Sequence, residues 1–314
     1  MSRARVMVRL LRADQWVKNV FVFGGLLFGG RLGDPVAVAR ALVAFGLFSV
    51  VASAAYIHND VADREADRLH PKKAQRPIAS GAVSLPVARA VQLGLLVLGL
   101  AGAALFDRRV TAILLGYTAL NAAYSHWLKH VVVLDVMLIA VGFVLRVLAG
   151  CAAVAVRPST WIILCTFLLA LFMGFGKRRH ELTLLGAGRD EHRPVLGSYG
   201  VGFLDQMIGV VSAVTVMCYI MYTVWPDTVA LHGTTALVYT VPFVIYGIFR
   251  YDFLVYKADR GGSPTSIILT DRPLLLAVVL WAVTSLALLN GTWRRRVAAV
   301  VSGPPPAAGE RSVR

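Results

Sequence analysis

Cysteine is nearly absent from this chain of 314 residues: Cys151, Cys165 and Cys218 stand alone in apolar stretches, with no paired spacing. That excludes a disulfide or zinc framework and leaves the thiols as small core residues. Charge is scarce as well. Asp, Glu, Lys and Arg supply 16% of the residues, where an average soluble protein has about 25%. Acids are the scarcer kind, 17 against 32 Lys and Arg, a formal net charge of +15. No Gly-Lys-Ser/Thr follows Gly24-Gly25 or Gly29-Gly30, which excludes a phosphate loop. No Ser/His/Asp or Cys/His constellation offers an activated nucleophile.

Apolar runs take the place of all this. The chain is 57% hydrophobic, with a mean hydropathy of +0.68. This composition predicts an all-α polytopic membrane protein rather than soluble domains. A helix needs about 20 mostly apolar residues to cross the hydrocarbon. Nine candidate spans result: 17–32, 36–56, 86–106, 110–125, 131–156, 160–176, 203–225, 235–250 and 273–291, the first, fourth and sixth being short. Residues 1–301 form one transmembrane helical domain. The tail 302–314, with Pro304-Pro305-Pro306, has no core-forming residues and reads as disordered. The N-terminal arginines precede an apolar run without a cleavage motif, so that end reads as mature chain.

The positive charge does not point to nucleic acid, because it is gathered in short loops between apolar runs. Arg3, Arg5, Arg9, Arg12 and Lys18 mark the start of the first span; Arg64, Arg68, Lys72, Lys73 and Arg76 fill the second loop. Lys177, Arg178, Arg179, Arg189 and Arg193 fill the sixth, and Arg250, Lys257, Arg260 and Arg272 the eighth. Positive residues mark cytoplasmic loops, so the N-terminus and the even-numbered loops face the cytoplasm and the expected location is the inner (plasma) membrane. Arg294-Arg295-Arg296 then falls outside, against that rule.

The most informative stretch closes the second span: Asn59-Asp60-Val61-Ala62-Asp63-Arg64-Glu65-Ala66-Asp67. Asn59, Asp63 and Asp67 are four apart, and Asp60, Asp63 and Asp67 three and four apart, so both sets share a helix face. Stacked carboxylates repel unless a cation lies between them. Mg²⁺ suits the place, since it takes few protein carboxylates and keeps positions for substrate phosphates. A solvated helix end with Asp60 and Arg64 paired is the plainer alternative. Lys72, Lys73 and Arg76 follow at once, in a Pro- and Gly-punctuated loop beside the acids.

Other polar residues lie in apolar surroundings. Trp16 and Lys18 suit an interfacial helix beside a lipid entrance. The glycine pairs 24–25 and 29–30 permit close helix approach. His126 and His130 have metal-binding spacing but no third ligand. Arg146 lies inside an apolar run, where a cation persists only against a polar cavity or partner. Asp135, eleven residues earlier, shares its face and is a candidate partner. The sixth loop opens with Gly176-Lys177-Arg178-Arg179-His180-Glu181 and continues to Ser198 and Tyr199, both able to donate to phosphate. Gly261-Gly262-Ser263-Pro264 reads as a turn, and Asp271 before Arg272-Pro273 as a helix N-cap.

Together these stretches resemble the UbiA superfamily of intramembrane prenyltransferases, across nearly the whole chain. The resemblance rests first on Asn59-Asp60-x-x-Asp63-x-x-x-Asp67. Within the superfamily the chain is similar to the branch that acts on decaprenyl phosphate. The residues behind that are Gln15-Trp16-Val17-Lys18-Asn19, Arg76-Pro77-Ile78-Ala79, Tyr124-Ser125 with Leu128-Lys129, Gly142-Phe143-x-Leu145-Arg146, Gly176-Lys177-Arg178-Arg179-x-Glu181 and Ser263-Pro264-Thr265. In aromatic prenyltransferases the sixth loop carries a second aspartate-rich motif; here it carries cations, which suits a more anionic ligand.

The resemblance implies a nine-helix UbiA-like bundle with a cytoplasm-facing polar cavity. It implies transfer of 5-phosphoribose from 5-phosphoribosyl 1-diphosphate to a polyprenyl phosphate, releasing diphosphate and giving a lipid precursor for cell-wall arabinan. Asn59, Asp60, Asp63 and Asp67 would hold Mg²⁺, with Lys72, Lys73 and Arg76 on the diphosphate. Lys177, Arg178 and Arg179 would take the 5-phosphate, and Lys129 and Arg146 either substrate's phosphate. Lys18, Tyr124, Asp135, Tyr199 and Lys257 complete the expected substrate contacts. An aromatic prenyltransferase using an isoprenyl diphosphate is the alternative, and a non-enzymatic lipid-phosphate carrier a more distant one. Oligomeric state and polyprenyl length stay open.

Overall fold

The structure is a computed structural model that describes residues 3–69, 73–185, 194–257 and 264–289. Among them there is no strand; helices follow one another through short connections. Helix α1 (Arg3–Leu10) leads into a 3₁₀ segment, Ala13–Phe23, continued by the short α2 (Gly24–Phe28). Then come α3 (Pro35–Ala62), α4 (Arg64–Leu69), α5 (Leu85–Phe106), α6 (Arg108–His126), α7 (Leu134–Ala153) and α8 (Thr160–Leu185). The chain continues with α9 (Pro194–Gly197), α10 (Val201–Val224), α11 (Pro226–His232), α12 (Val241–Lys257), α13 (Pro264–Thr270) and α14 (Arg272–Leu289).

Local chemistry starts these helices where the sequence says it should. Asp34 precedes Pro35 and accepts from the Val36 and Ala37 amides at 2.9 and 3.2 Å. Asp107 does the same for Arg109 and Val110 at the head of α6, at 2.8 and 3.4 Å. Asp271 caps α14 as expected, accepting from the Leu274 amide at 3.0 Å. Such caps satisfy amides that a helix start leaves unpaired.

Seven of the described helices are long and apolar enough to cross a membrane, α12 being counted together with the 3₁₀ turn Ala236–Thr240 that leads into it. They match the expected spans two, three and five to nine. Their outer residues, such as Leu93, Val97, Leu98 and Leu105 on α5, are exposed and apolar, as a lipid-facing surface requires. The expected fourth span is α6, a full helix whose inner face carries Tyr117, Asn121 and Tyr124. Those cavity-facing groups keep its apolarity below that of the other seven.

The expected first span is different in kind. In place of an interfacial helix over residues 12–19, the chain packs a 3₁₀ helix inward against α3 and α7. Trp16 Nε1 donates to Ser53 Oγ (3.0 Å) and Asn19 Nδ2 to Ser49 Oγ (2.9 Å). Two glycines allow the fit. A Cβ at Gly150 would lie 1.7 Å from the Val22 carbonyl oxygen, and one at Gly25 2.7 Å from the Cys151 backbone nitrogen. At about 2.0 Å per 3₁₀ residue and 1.5 Å per α residue, Ala13–Phe28 extends roughly 30 Å.

Two expected loops are helix. The cations 177–179 lie in the last turns of α8, which runs on to Leu185, and Arg250–Lys257 ends α12. Neither stretch contains a proline or glycine to stop it. The three cysteines are free, with Cys151 buried. His70-Pro71-Lys72, Arg189, Arg193, the turn residues 261–263, the Arg294–Arg296 run and the tail 302–314 lie outside the described residues, as does the Lys257 side chain.

Candidate active site

The bundle encloses a cavity of about 1330 Å³, lined by the 3₁₀ segment and by α3, α6, α7, α8, α12 and α14. That exceeds the roughly 300–1,000 Å³ usual for one small ligand. Its polar residues gather where α3 meets α4; elsewhere the walls include Phe28, Trp161, Phe243 and Trp281. Charge at one end and aromatic wall at the other suit a ligand with an anionic head and an apolar body.

The acidic stripe lies at a break between helices. α3 ends at Ala62 and Asp63 closes it, its amide bonded to the Asn59 carbonyl oxygen at 2.8 Å, before α4 begins. Asp63 faces the cavity, with Asn59 Nδ2 donating to it at 3.0 Å and Lys129 Nζ at 2.5 Å. Ser125 Oγ in turn donates to Asn59 Oδ1 at 3.1 Å. Asp67 is buried at the cavity wall. Asp60 sits behind that wall, 3.3 Å from Arg12 Nη2 and 3.0 Å from Arg76 Nη1. The same Arg76 nitrogen reaches Asp67 Oδ2 at 2.5 Å, and Lys73 lies 4.0 Å from Asp67. Asp60 and Arg64, an i, i+4 pair in the plainer alternative, go separate ways: Arg64 lies 3.5 Å from Glu65.

These contacts pair each acid of the stripe with a cation rather than with a second acid. Among the described residues no group of three or more His, Cys, Asp or Glu is gathered to hold a metal ion. The reason is electrostatic: Arg76 and Lys129 already stand where Asp60, Asp63 and Asp67 would otherwise repel. The donor set nonetheless fits an Mg²⁺-type ion. Asp63 and Asp67 are hard oxygen donors on the cavity, and Mg²⁺ is commonly held by one or two carboxylates plus phosphates. Arg76 Nη1, shared by two carboxylates, marks a point at which negative charge converges on a cation.

Arg146 lies one helix away and is 4% exposed. Its Nε donates to Asn19 Oδ1 (2.8 Å), Nη1 to the Gly142 carbonyl (2.8 Å) and Nη2 to the Tyr117 hydroxyl (3.1 Å). The rings of Phe48, Tyr117 and Phe143 surround it at 5.0–5.2 Å. It makes no pair with Asp135, the candidate partner on its own helix.

Asp135 pairs across to α8. Arg178 Nε donates to Asp135 Oδ2 and Arg178 Nη1 to Glu181 Oε2, both at 2.7 Å. The Tyr199 hydroxyl donates to Asp135 Oδ1 at 2.7 Å and accepts from the Val133 amide at 2.6 Å. Burial, then the bond to Asp135, hold the Tyr199 phenol above its ordinary range, so it is the neutral hydroxyl that donates. Val133 has a positive φ of 69°, costly for a β-branched residue, and Tyr199 braces it.

The expected site residues therefore divide. Asn59, Asp63, Asp67, Lys18, Lys73, Arg76, Tyr124, Lys129, Arg146, Lys177 and Arg178 line the cavity. Asp60, Asp135 and Tyr199 support it from behind. Arg179 points away, to Asp205 Oδ1 (2.5 Å), the Val255 carbonyl (3.2 Å) and the Tyr256 ring. Three consecutive helical residues are about 100° apart, so Lys177, Arg178 and Arg179 cannot share one face. Arg12, Asn19, Tyr117 and Ser125 were not among the expected site residues; Asn19 and Ser125 stood in the quoted motifs without a role, and a polar group inside an apolar run was the signal for Tyr117.

Fold and cavity together define a multi-pass helical membrane protein whose bundle brings matched acids and bases up against an apolar interior. The chain belongs to the UbiA prenyltransferase family, whose profile matches residues 19–270. It is 36% identical over 283 residues to the decaprenyl-phosphate phosphoribosyltransferase of Mycobacterium tuberculosis, covering 88% of this chain and 92% of that one. To the enzyme of the same name from Corynebacterium glutamicum it is 34% identical, covering 88% and 84%. Its fold is similar to that of a UbiA homologue from Archaeoglobus fulgidus bound to GPP and Mg²⁺, with a TM-score of 0.68 and 20% identity over 90% of this chain and 99% of that one.

Proposed function

We propose that the chain is a decaprenyl-phosphate phosphoribosyltransferase. It transfers 5-phosphoribose from 5-phosphoribosyl 1-diphosphate to a polyprenyl phosphate and releases diphosphate, giving a precursor for cell-wall arabinan. The observation that carries this is the end of α8, where Lys177 lines the cavity that Asp63 and Asp67 also line. An isoprenyl diphosphate lacks the additional phosphate that such a cation would meet. The similarity to phosphoribosyltransferases over 88% of the chain supports the same reading.

In the reaction a lipid phosphate oxygen forms a bond to the anomeric carbon while the bond from that carbon to the diphosphate oxygen breaks. The diphosphate leaves with its electron pair. The nucleophile is already anionic, so no general base is required, and catalysis is positioning plus electrostatics. Asp63 and Asp67, assisted by Asn59, would hold an Mg²⁺ ion, which when bound would supply positive charge against the leaving diphosphate. Arg76, Lys73 and Lys129 exchange carboxylate partners for phosphate oxygens. Lys177 takes the 5-phosphate, and Arg178 holds the helix that presents it. In-line attack on an α-configured donor yields a β-linked product. The apolar walls take the lipid tail, each buried CH₂ contributing ~0.8 kcal/mol.

The Ala13–Phe28 segment and α6 complete nine crossings in this reading. The roughly 30 Å length of that segment matches the hydrocarbon thickness. The N-terminus and charged cavity mouth face the cytoplasm, at the plasma membrane.

Incubating membranes that contain the protein with labelled phosphoribosyl diphosphate and polyprenyl phosphate tests the proposal. A labelled lipid formed with Mg²⁺ and lost with chelator is expected. No labelled lipid under either condition overturns it.

A further inference from the structure

The cations of the cavity differ in how they are matched, and at the end of α8 Lys177 and Arg178 both pair with Glu181. At the acidic stripe each is matched: Arg12 to Asp60, Arg76 to Asp60 and Asp67, Lys73 to Asp67, Lys129 to Asp63. Arg146 is not. All three of its hydrogen bonds go to neutral acceptors, and among the described residues no carboxylate lies within ion-pairing distance of it. A guanidinium carries five N–H donors. Three are engaged, which leaves one on each terminal nitrogen, the fork that suits two oxygens of one phosphate.

A second unmatched cation stands next to it. Asn19, which accepts from Arg146, is preceded by Lys18. Lys18 lines the same cavity, and its ammonium and the Arg146 guanidinium lie in each other's field. Asp14 acts on Lys18 from beyond ion-pairing distance. The Lys18 side chain makes no hydrogen bond or ion pair among the described residues. Two positive charges without a counter-ion, one of them 4% exposed inside a helix bundle, are costly to keep unless an anion arrives. The three rings around Arg146 offset that cost in part, without cancelling the charge.

We infer that Lys18 and Arg146 form a phosphate-monoester subsite that works without a metal ion, separate from the metal-dependent diphosphate end at Asp63 and Asp67. The inference rests on the proposed reaction, in which both the lipid phosphate and the ribose 5-phosphate are monoesters. It divides the cavity by chemistry. A diphosphate, with charge to spare, is held through the acids and their shared cation. A monoester is held directly by two bases that have no acid to leave.

Binding measured on the purified full-length protein in lipid nanodiscs, with chelator present, separates the outcomes. The probes are farnesyl phosphate, farnesol and ribose 5-phosphate. Farnesyl phosphate is expected to bind at least tenfold more tightly than farnesol in chelator. Lys18→Gln, which breaks no contact within the described residues, is expected to weaken that binding several-fold, and Arg146→Gln more, with an unchanged melting curve for Lys18→Gln as the folding control. If ribose 5-phosphate binds in chelator, loses affinity in Lys18→Gln and displaces farnesyl phosphate, the subsite stands and belongs to the donor's sugar end. If it does not, the subsite belongs to the lipid. The inference is overturned if neither monoester binds without metal, if farnesol binds as well as farnesyl phosphate, or if Lys18→Gln leaves monoester binding intact. None of these results depends on turnover, so a failed phosphoribosyl-transfer assay and a failed subsite are told apart.

Discussion

Two buried arginines on adjacent helices use the same side chain in opposite ways. Arg178 on α8 is 1% exposed and gives its charge to Asp135 and Glu181. Arg146 on α7 is 4% exposed and gives its hydrogen bonds to an amide, a carbonyl and a phenol, none of them charged. A guanidinium cancelled from within is a structural tie between helices. One left uncancelled keeps an attraction for anions that only a ligand can satisfy. The acidic stripe lies between these cases: its charges are matched, but by cations that phosphate can draw away.

The first way to break the comparison is at Asp135. Asp135→Asn strips Arg178 of its fully buried counter-ion, and losing one partner of a buried pair costs ~3–5 kcal/mol. We expect a large drop in the melting temperature, followed by circular dichroism in detergent. Asp63→Asn should behave in the opposite way. It leaves the fold intact and lowers phosphoribosyl transfer by about 10²–10³-fold, the usual scale for one transition-state electrostatic group, as radiolabelled turnover would report. Tyr199→Phe removes the hydroxyl that joins Asp135 to the Val133 amide. One or two buried groups are then left unpaired, at ~1–3 kcal/mol, with a smaller melting shift than Asp135→Asn. The smallest contrast is between neighbours. Lys177→Gln should raise the KM for phosphoribosyl diphosphate roughly tenfold, the effect of about 1.4 kcal/mol in binding. Arg179→Gln, whose side chain faces Asp205 and Tyr256, should leave that KM unchanged.

Much of this was legible beforehand. Asp60 and Asp63 end the second span as expected, because charge cannot continue into hydrocarbon, whereas a break in the helix puts Asp67 on α4. Arg146 was conspicuous as a cation in an apolar run, and Asp271 caps α14 through the spacing that such caps always use. The partners were not legible. Lys129 meets Asp63 and Arg178 meets Asp135 across 66 and 43 residues, and no local periodicity carries that information. Asp135 shares a helix face with Arg146, yet the neighbouring α8 supplies its partner. The 3₁₀ course of Ala13–Phe23 was hidden too, since what holds it is the contact of Val22 with Gly150 and of Trp16 with Ser53. Reading residues 177–185 as loop misjudged a charged stretch that contains no helix breaker and continues α8.

The central claim is that this cavity accepts a phosphorylated sugar rather than a second isoprenoid. Its most direct test offers membranes containing the protein two labelled donors side by side, phosphoribosyl diphosphate with polyprenyl phosphate, and an isoprenyl diphosphate with 4-hydroxybenzoate, both with Mg²⁺. The account predicts a labelled lipid from the first mixture and none from the second. Label appearing only on the aromatic ring contradicts it.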